Sequence, residues 1–262
     1  MREGILAAPY LGRDYLWPDF AAAWSGLPVE RTVFVQVRSD VEEVGFVESV
    51  AARERALGAM IAWAPLELPE SSEHLQRLRG HPLVRGVRRN TQHEPDPLFC
   101  SRDGYVRGVR LLGEMGFLCE ICVRHEQIEA AVLLARACPD TAIVLEHLGK
   151  PDMAGAPPPY WLRAIEGLAL LPNVHCKVSV VVHSDADPAY RSDLLAPFVR
   201  HAVEAFGWGR VLFGSNWPVS TAVIGYSEWI DLLQATLPSE SERDSFYAAN
   251  ARRLYRLNGA TH

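Results

Sequence analysis

The chain has 262 residues, of which 48% are hydrophobic and 22% are charged, and its formal net charge is −6. These proportions are typical of a globular protein with a sizeable core and exclude a largely disordered chain. The negative charge argues against general binding to nucleic acids or anionic membranes, because both require a basic surface. We therefore expect a small-molecule partner.

The start of the chain and its cysteines indicate a cytoplasmic protein. Residues 1–9 contain no apolar run long enough for a secretion signal, and no later run reaches the roughly 18 apolar residues of a membrane span. The five cysteines are scattered and odd in number, which favours reduced thiols. Cys119 and Cys122 form a CxxC pair inside an apolar run, where we expect buried strand thiols rather than a zinc or redox site.

Short apolar runs alternate along the chain with segments of helical periodicity, which is typical of βα units around a parallel sheet. Seven strands are predicted, at 32–37, 57–63, 84–89, 117–123, 141–147, 173–179 and 210–215. Helices are predicted near 41–55, 71–79, 102–115, 125–138, 160–170, 189–206, 226–236 and 240–257. The pattern predicts a single α/β domain over residues 1–262, built as a TIM-like (β/α)8 barrel.

One strand of the eight expected in such a barrel is missing, and the shortfall falls before residue 32. Its loss would leave the strands at 32–37 and 210–215 as two unpaired edges. Residues 4–8 are an apolar segment that could fill the gap as a short surrogate strand. The alternative is that a second chain covers the opening, which would make the protein a homo-oligomer.

The carboxyl ends of the strands are where barrels of this kind carry their functional groups, and His147 ends one of them. Strand alternation predicts His147 on the same face as Ile143 and Leu145. A neutral imidazole there could orient or polarise a carbonyl, or act as an acid or base near pH 7. The alternative is a structural histidine held by hydrogen bonds at the barrel rim.

Basic residues occupy two further strands. Arg88 and Arg89 end one strand, and a guanidinium group suits a carboxylate or a polyhydroxylated ring. Adjacent strand residues point in opposite directions, so we expect one arginine in the pocket and the other in a surface ion pair. Lys177 lies within a strand and either reaches the site or is paired with a carboxylate such as Glu120 or Glu146.

Several stretches of the chain resemble the amidohydrolase-related lactonases, a family that includes L-fuconolactonase and 2-pyrone-4,6-dicarboxylate lactonase. The matching stretches are 33–36, 63–66, 86–89 with 92–97, 147–151, 172–179, 214–219 and 250–251. They run in family order from about residue 10 to the C-terminus and are most similar to the sugar-lactonase branch.

The chain departs from the family pattern in three places. The family opens with a strand that carries a His-x-His pair, whereas no histidine here precedes His74. Asn216 stands where the family has the aspartate that serves as general base, and an amide cannot take up a proton at neutral pH. Glu146 and His147 replace the usual Asp-His pair.

The resemblance implies an enzyme that hydrolyses the lactone of a sugar acid or related carboxylate, with His147 polarising the carbonyl. It implies His147 and Asn216 as catalytic positions and Gln36, Arg88, Arg89, Gln92, Lys150, Lys177 and Trp217 as residues that bind an anionic or polyhydroxylated ligand. The departures fall on the family's metal ligands and water-activating groups. We therefore expect no metal ligands, and we expect zinc or another divalent cofactor to be absent.

A second hypothesis explains the same departures. The protein would be a catalytically altered or non-hydrolytic homologue that binds a similar small molecule, or one that performs a non-hydrolytic step in a biosynthetic pathway. A start site downstream of the true one would explain the missing strand, but it would not explain Asn216.

Overall fold

The computed structural model describes residues 12–182, 194–237 and 240–257. Within these ranges the predicted strands form one parallel sheet whose order follows the chain. The strands are β1 (Thr32–Val35), β2 (Leu57–Ala62), β3 (Val84–Arg88), β4 (Leu118–Ile121), β5 (Ile143–Leu145), β6 (Val174–Val178) and β7 (Val211–Phe213). The fold is a TIM-like α/β arrangement with seven strands, so the predicted fold class is confirmed.

Helices connect the strands and cover the outside of the sheet. In the described ranges they are α1 (Trp17–Ala23), α2 (Glu43–Ala51), α3 (Ser71–Arg79), α4 (Asp103–Glu114), α5 (Ile128–Ala137), α6 (Pro159–Ala169), α7 (Leu195–Phe206), α8 (Tyr226–Thr236) and α9 (Asn250–Leu254). None of these nine is long and apolar enough to cross a membrane. Alternating strands and helices are the reason the sheet is parallel, since each helix returns the chain to the same edge.

The structure differs from the prediction at three helices. Helix α1 was not predicted; Pro18 lies in its first turn, and the Asp19 carboxylate accepts the Leu16 N–H at 3.0 Å. The helix expected at 189–206 begins at Leu195, and residues 189–193 lie outside the described ranges. The closing helix expected at 240–257 is divided into a π-helical turn (Ser245–Ala249) and α9.

The core has two layers because successive strand residues face opposite sides of the sheet. One layer lies between the sheet and the helices and is the larger. The other fills the inside of the barrel with Ala59, Ile61, Leu118, Val144, Leu212, Tyr255 and Leu257. Tyr255 and Leu257 follow α9, so the end of the described chain closes the amino end of the barrel with apolar side chains. The polar residues that share this inward face therefore lie nearer the carboxyl ends of the strands.

Strands β1 and β7 are the two ends of the sheet in the part of the chain that the structure describes. This agrees with a missing strand between them. The proposed surrogate strand at residues 4–8 lies outside the described residues and stays a prediction. The single-domain organisation also stays a prediction.

Candidate active site

Four charged side chains meet inside the barrel near the carboxyl ends of β3 to β6. The Lys177 Nζ lies 2.7 Å from Glu120 Oε2 and 3.4 Å from Glu146 Oε1. Arg88 NH1 donates to the other oxygen of Glu146, Oε2, at 2.5 Å. Lys177 is therefore paired with both carboxylates that the sequence suggested. The two cations and two anions compensate each other, which makes their burial tolerable.

This arrangement sets the charge of the two carboxylates. Burial alone would raise the pKa of Glu146, but Arg88 and Lys177 outweigh it and hold that pKa well below its usual value. Burial raises the pKa of Glu120, and Lys177 opposes this only in part. The Tyr255 hydroxyl donates to Glu120 Oε1 at 2.5 Å from the amino-end side. Glu146 is thus the ionised carboxylate nearest the barrel mouth.

His147 reaches the barrel mouth through an unusual turn. His147, Leu148, Gly149 and Lys150 all have positive φ, with values of 51°, 57°, 70° and 46°. Non-glycine residues rarely adopt this conformation, and strained backbone of this kind clusters at functional sites. After β5 this turn replaces the extended conformation, so the side chains no longer alternate between the two faces of the sheet. The predicted shared face with Ile143 and Leu145 is therefore wrong, because those two side chains pack towards the helices.

The His147 imidazole is buried and held from one side. Its Nδ1 lies 2.6 Å from Ser179 Oγ, and its Nε2 lies 4.0 Å from Glu146 Oε2. Burial lowers the pKa of His147 to about 3; Glu146 opposes the shift, and Lys150 adds to it. The ring is neutral at pH 7, as expected, but a pKa this low makes it a weak base.

Cys122 completes a group of three donors with Glu146 and His147. One atom from each residue, a thiol sulfur, a carboxylate oxygen and a ring nitrogen, lies within 4.8 Å of the other two, and all three residues are buried. Burial raises the pKa of the Cys122 thiol, while Lys150 lowers it. Sulfur, imidazole and carboxylate are the three donor types that zinc takes in proteins. The Ser179 contact leaves the Nε2 of His147 for a metal, as is usual for histidine ligands.

The other polar residues predicted for the site lie around this group. The Gln92 Oε1 accepts a hydrogen bond from Lys150 Nζ and a weak one from Cys122 Sγ at 3.7 Å. The Gln36 Nε2 donates to the Arg88 carbonyl at 3.2 Å, and Arg88 NH2 donates to the Gln36 carbonyl. The buried Nε of Arg88 has no hydrogen-bond partner among the described residues. That donor is available to a ligand.

Arg89 lies apart from the group. Its guanidinium pairs with Glu67 at 2.9 Å and Glu94 at 2.6 Å and lies over the Phe99 ring. The expectation that only one of the two adjacent arginines faces the pocket therefore agrees with the structure, and that arginine is Arg88. Arg89 supports the loop after β3 instead of contacting the site.

Asn216 and Trp217 follow β7 on a separate part of the rim. Asn216 has a φ of 56° and donates from Nδ2 to the Val180 carbonyl at 2.8 Å. In the described residues no hydrogen bond joins it to Glu146 or His147. The Trp217 ring packs against Phe20, with centroids 5.0 Å apart. Both residues thus shape the rim between β6 and β7.

Cys122 and Ser179 are functional candidates that the predicted site set omits. Cys122 was assigned to the interior of a strand, but β4 ends at Ile121 and so brings Cys122 to the carboxyl end. Had the predicted strand ended two residues earlier, at Ile121, Cys122 would have been counted among the residues at the carboxyl end. Ser179 shares the inward face of Lys177, and that alternation was a usable signal.

Comparison with known proteins gives consistent matches. Residues 3–257 match the family model described as amidohydrolase. L-fucono-1,5-lactonase of Burkholderia multivorans is 31% identical over 97% of this chain and 88% of its own length. A crystal structure of a Burkholderia multivorans amidohydrolase with bound zinc has a TM-score of 0.88 and 27% identity, covering 98% of this chain and 95% of that one. A putative 2-pyrone-4,6-dicarboxylic acid hydrolase from Pseudomonas putida has a TM-score of 0.75 at 19% identity, covering 95% of this chain and 90% of that one, and shares the fold.

The expectation that a metal is absent is wrong. A structure with this fold was determined with bound zinc, and this chain brings together three donors of the right kinds. The sequence argument counted histidines at strand ends and found only His147. It missed the thiol because Cys122 was read as a buried strand residue, and it missed Glu146 because only the histidine of that pair was counted.

Proposed function

Because the chain belongs to the amidohydrolase family of hydrolases, we propose that it hydrolyses the lactone ring of a sugar acid or a related carboxylate. The named activity of the L-fucono-1,5-lactonase relative supports this substrate class. The observation that carries the proposal is the neutral His147 imidazole, oriented by Ser179 at 2.6 Å beside the ionised Glu146. That combination suits activation of an ester carbonyl at the mouth of the barrel.

The substrate would be anionic or polyhydroxylated. Lys150 and the unpartnered Nε of Arg88 offer positive donors to the site. The Gln36 main-chain carbonyl accepts a hydrogen bond from the Arg88 guanidinium, and Gln92 Oε1 accepts one from Lys150 Nζ. Cations oriented in this way suit the carboxylate or ring hydroxyls of a sugar acid. We keep Trp217 as an aromatic wall of the same site and Arg89 as a residue that acts only through its loop.

Cys122, Glu146 and His147 would hold a zinc ion, with Nε2 as the His147 donor. Zinc there would supply Lewis-acid activation of the lactone carbonyl. The protein's own residues prepare the group for this: Arg88 and Lys177 keep Glu146 ionised, and burial keeps His147 neutral. Both residues are therefore in the protonation state that a ligand needs at pH 7.

The activity is tested by hydrolysis of a panel of sugar-acid lactones, including L-fucono-1,5-lactone, followed by acid release. We expect turnover by the native protein and loss of it in His147→Asn. His201→Asn is the matched control, since His201 lies on α7 near Glu166 and Trp161. An inactive native protein, or an active His147→Asn variant, would contradict the proposal.

The metal group is tested without activity, by zinc content after dialysis and by the spectrum of the cobalt-substituted protein. A thiolate ligand gives cobalt a charge-transfer band in the near ultraviolet, which Cys122→Ser should remove. Cys119→Ser is the control, because Cys119 belongs to the same CxxC pair but packs in the layer beneath the helices. A band that survives Cys122→Ser would remove the cysteine from the ligand set.

Asn216 favours a second candidate, a homologue that binds a lactone or sugar acid without hydrolysing it. Its amide donates to the Val180 carbonyl at 2.8 Å, and it cannot accept a proton from water. Binding of a sugar acid with no turnover of any lactone, and the appearance of turnover in Asn216→Asp, would favour this candidate. General-base catalysis contributes about 10²–10⁴-fold, so the gain would be measurable.

We also propose that the protein works in the cytoplasm, which fractionation of its native host would test. Its five cysteines are all buried and free, which suits a reducing compartment. Within the described residues β1 and β7 have no partner strand on their outer edges, which supports association with a second copy of the chain. Sedimentation analysis would decide between a monomer and an oligomer.

A further inference from the structure

A concave surface at the amino end of the barrel is lined by cationic side chains. A cavity of about 290 Å³ lies where β3 and β4 begin, and Arg79, His81, Arg85 and Arg256 are among its lining residues. A second cavity of about 220 Å³ adjoins it and shares Arg85 and Arg256. Three guanidinium groups thus converge on one surface of a chain whose net charge is −6.

Arg85 and Arg256 have carbonyl partners but no carboxylate partners in the described residues. Arg85 donates from Nε to the Tyr255 carbonyl at 3.1 Å and from NH1 to the Pro82 carbonyl. Arg256 NH2 donates to the Gly116 carbonyl at 3.2 Å. Backbone carbonyls orient a guanidinium group without neutralising its charge. The NH2 of Arg85 has no acceptor in the described ranges and remains available to a ligand.

The positive charges of Arg85 and Arg256 also repel each other. Burial lowers the pKa of Arg85, and the charge of Arg256 lowers it further. The nearby acidic groups do not relieve this: Glu48 is engaged by His81 Nδ1 at 3.0 Å, and Asp140 lines the second cavity without forming an ion pair with either arginine. An anion bound between Arg85 and Arg256 would neutralise both at once.

We propose that this amino-end cavity is a binding site for a phosphoryl group, either as free phosphate or as the phosphate of a small monoester. Guanidinium groups match the oxygen geometry of phosphate, and the volume is at the small end of ligand pockets. The site is separate from the candidate active site. Strand β3 runs between them, with Arg85 near its start and Arg88 at its end, and the three residue steps from Arg85 to Arg88 span roughly 10 Å.

The test is calorimetric titration with inorganic phosphate, and separately with a hexose phosphate, at constant ionic strength. The native protein should bind one phosphoryl group, and Arg256→Gln should weaken binding by about ten-fold or more, as loss of a charge-assisted hydrogen bond does. Arg256 is exposed, so the variant should fold normally. Tighter binding of the hexose phosphate would assign the site to a monoester, and equal binding would assign it to free phosphate.

Arg77→Gln is the matched control, because Arg77 lies on α3 with Arg79 but pairs with Glu73 and does not line the cavity. Its phosphate affinity should equal that of the native protein. No saturable binding at millimolar phosphate would overturn the proposal. Equal weakening by Arg77→Gln and Arg256→Gln would also overturn it, since it would indicate only a diffuse effect of charge.

Discussion

The two ends of the barrel treat positive charge in opposite ways. At the carboxyl end, Arg88 and Lys177 are paired with Glu120 and Glu146, and the four charges sum to zero. At the amino end, Arg85 and Arg256 have only carbonyl partners in the part of the chain described. A buried cation must be neutralised by the protein itself, because burying an unpaired charge is costly. A half-exposed cation is still hydrated and can be neutralised by a bound ligand instead.

Tyr255 connects the two ends. Its carbonyl accepts the hydrogen bond from Arg85 Nε, and its hydroxyl donates to Glu120 Oε1 at 2.5 Å. Between these contacts the barrel interior is apolar, with Ile61 and Val144 in the same cluster. This apolar layer therefore separates the charged network at the carboxyl end from water at the amino end of the barrel. Substitutions at each end of the barrel test whether the two ends differ in charge compensation as much as their contacts indicate.

Removing a compensating cation from the carboxyl end should have the largest effect. Lys177→Met leaves Glu120 and Glu146 with Arg88 as their remaining cation and should destabilise the fold by about 3–5 kcal/mol, as measured by urea unfolding. Adding Glu120→Gln to Lys177→Met should restore part of the loss by removing one uncompensated carboxylate. Lys150→Met, at the half-buried rim, should cost much less. A Lys177→Met effect below about 1 kcal/mol would show that the network is not compensated as described.

The amino end should contribute its own sensitivity to acid, through His175. Burial lowers the pKa of His175 to about 4, and the charges of Arg210 and Arg253 lower it further. Between pH 6.5 and pH 4 the unfolded chain then binds a proton that the folded chain does not, so stability falls as pH falls. The full loss from this group is roughly 3 kcal/mol.

The measurement is unfolding free energy against pH for the native protein and for His175→Gln. The variant should lose less stability between pH 6.5 and pH 4, because glutamine does not titrate. Parallel curves for the two proteins would mean that His175 contributes nothing to the acid sensitivity.

The strands and most helices were predictable because their signals are local. Apolar runs of strand length alternate with helical periodicity, and every predicted strand is present, one to four residues shorter than predicted. The pairing of Lys177 followed from the cost of burying an unpaired charge in a barrel strand. The choice of Arg88 over Arg89 was not predictable, since alternation says only that the two differ.

The metal group was not predictable for two physical reasons. His147 lies on a turn with positive φ, and none of the residue types in Glu146-His147-Leu148 indicates such a turn. Strand alternation therefore predicted the wrong face for His147. Cys122 lies one residue beyond β4, and an apolar CxxC run does not mark where a strand ends. The contact of Tyr255 with Glu120 was not predictable from the sequence either, because it depends on α9 placing Tyr255 at the amino end of the barrel.

The link between the two ends should have an intermediate effect. Tyr255→Phe removes the hydroxyl donor to Glu120 but keeps the ring, so it should cost about 2 kcal/mol, the range of a hydrogen bond to a charged group. Tyr247→Phe is the control, because the Tyr247 hydroxyl has no hydrogen-bond partner in the described residues. Equal effects of the two substitutions would mean that the Glu120 contact adds no stability.

The smallest effect is expected at Asn216, on the rim of the carboxyl end. Both asparagine and aspartate tolerate its φ of 56°, so Asn216→Asp isolates the loss of the donor to the Val180 carbonyl. Replacing that donor with a carboxylate should cost about 1 kcal/mol, because one neutral hydrogen bond to the Val180 carbonyl is lost. Asn216→Ala also loses the donor and adds backbone strain, and it should therefore be less stable than Asn216→Asp. If Asn216→Asp were the less stable of the two, the added negative charge would be the dominant cost, and the compensation of charge at this end would extend to β7.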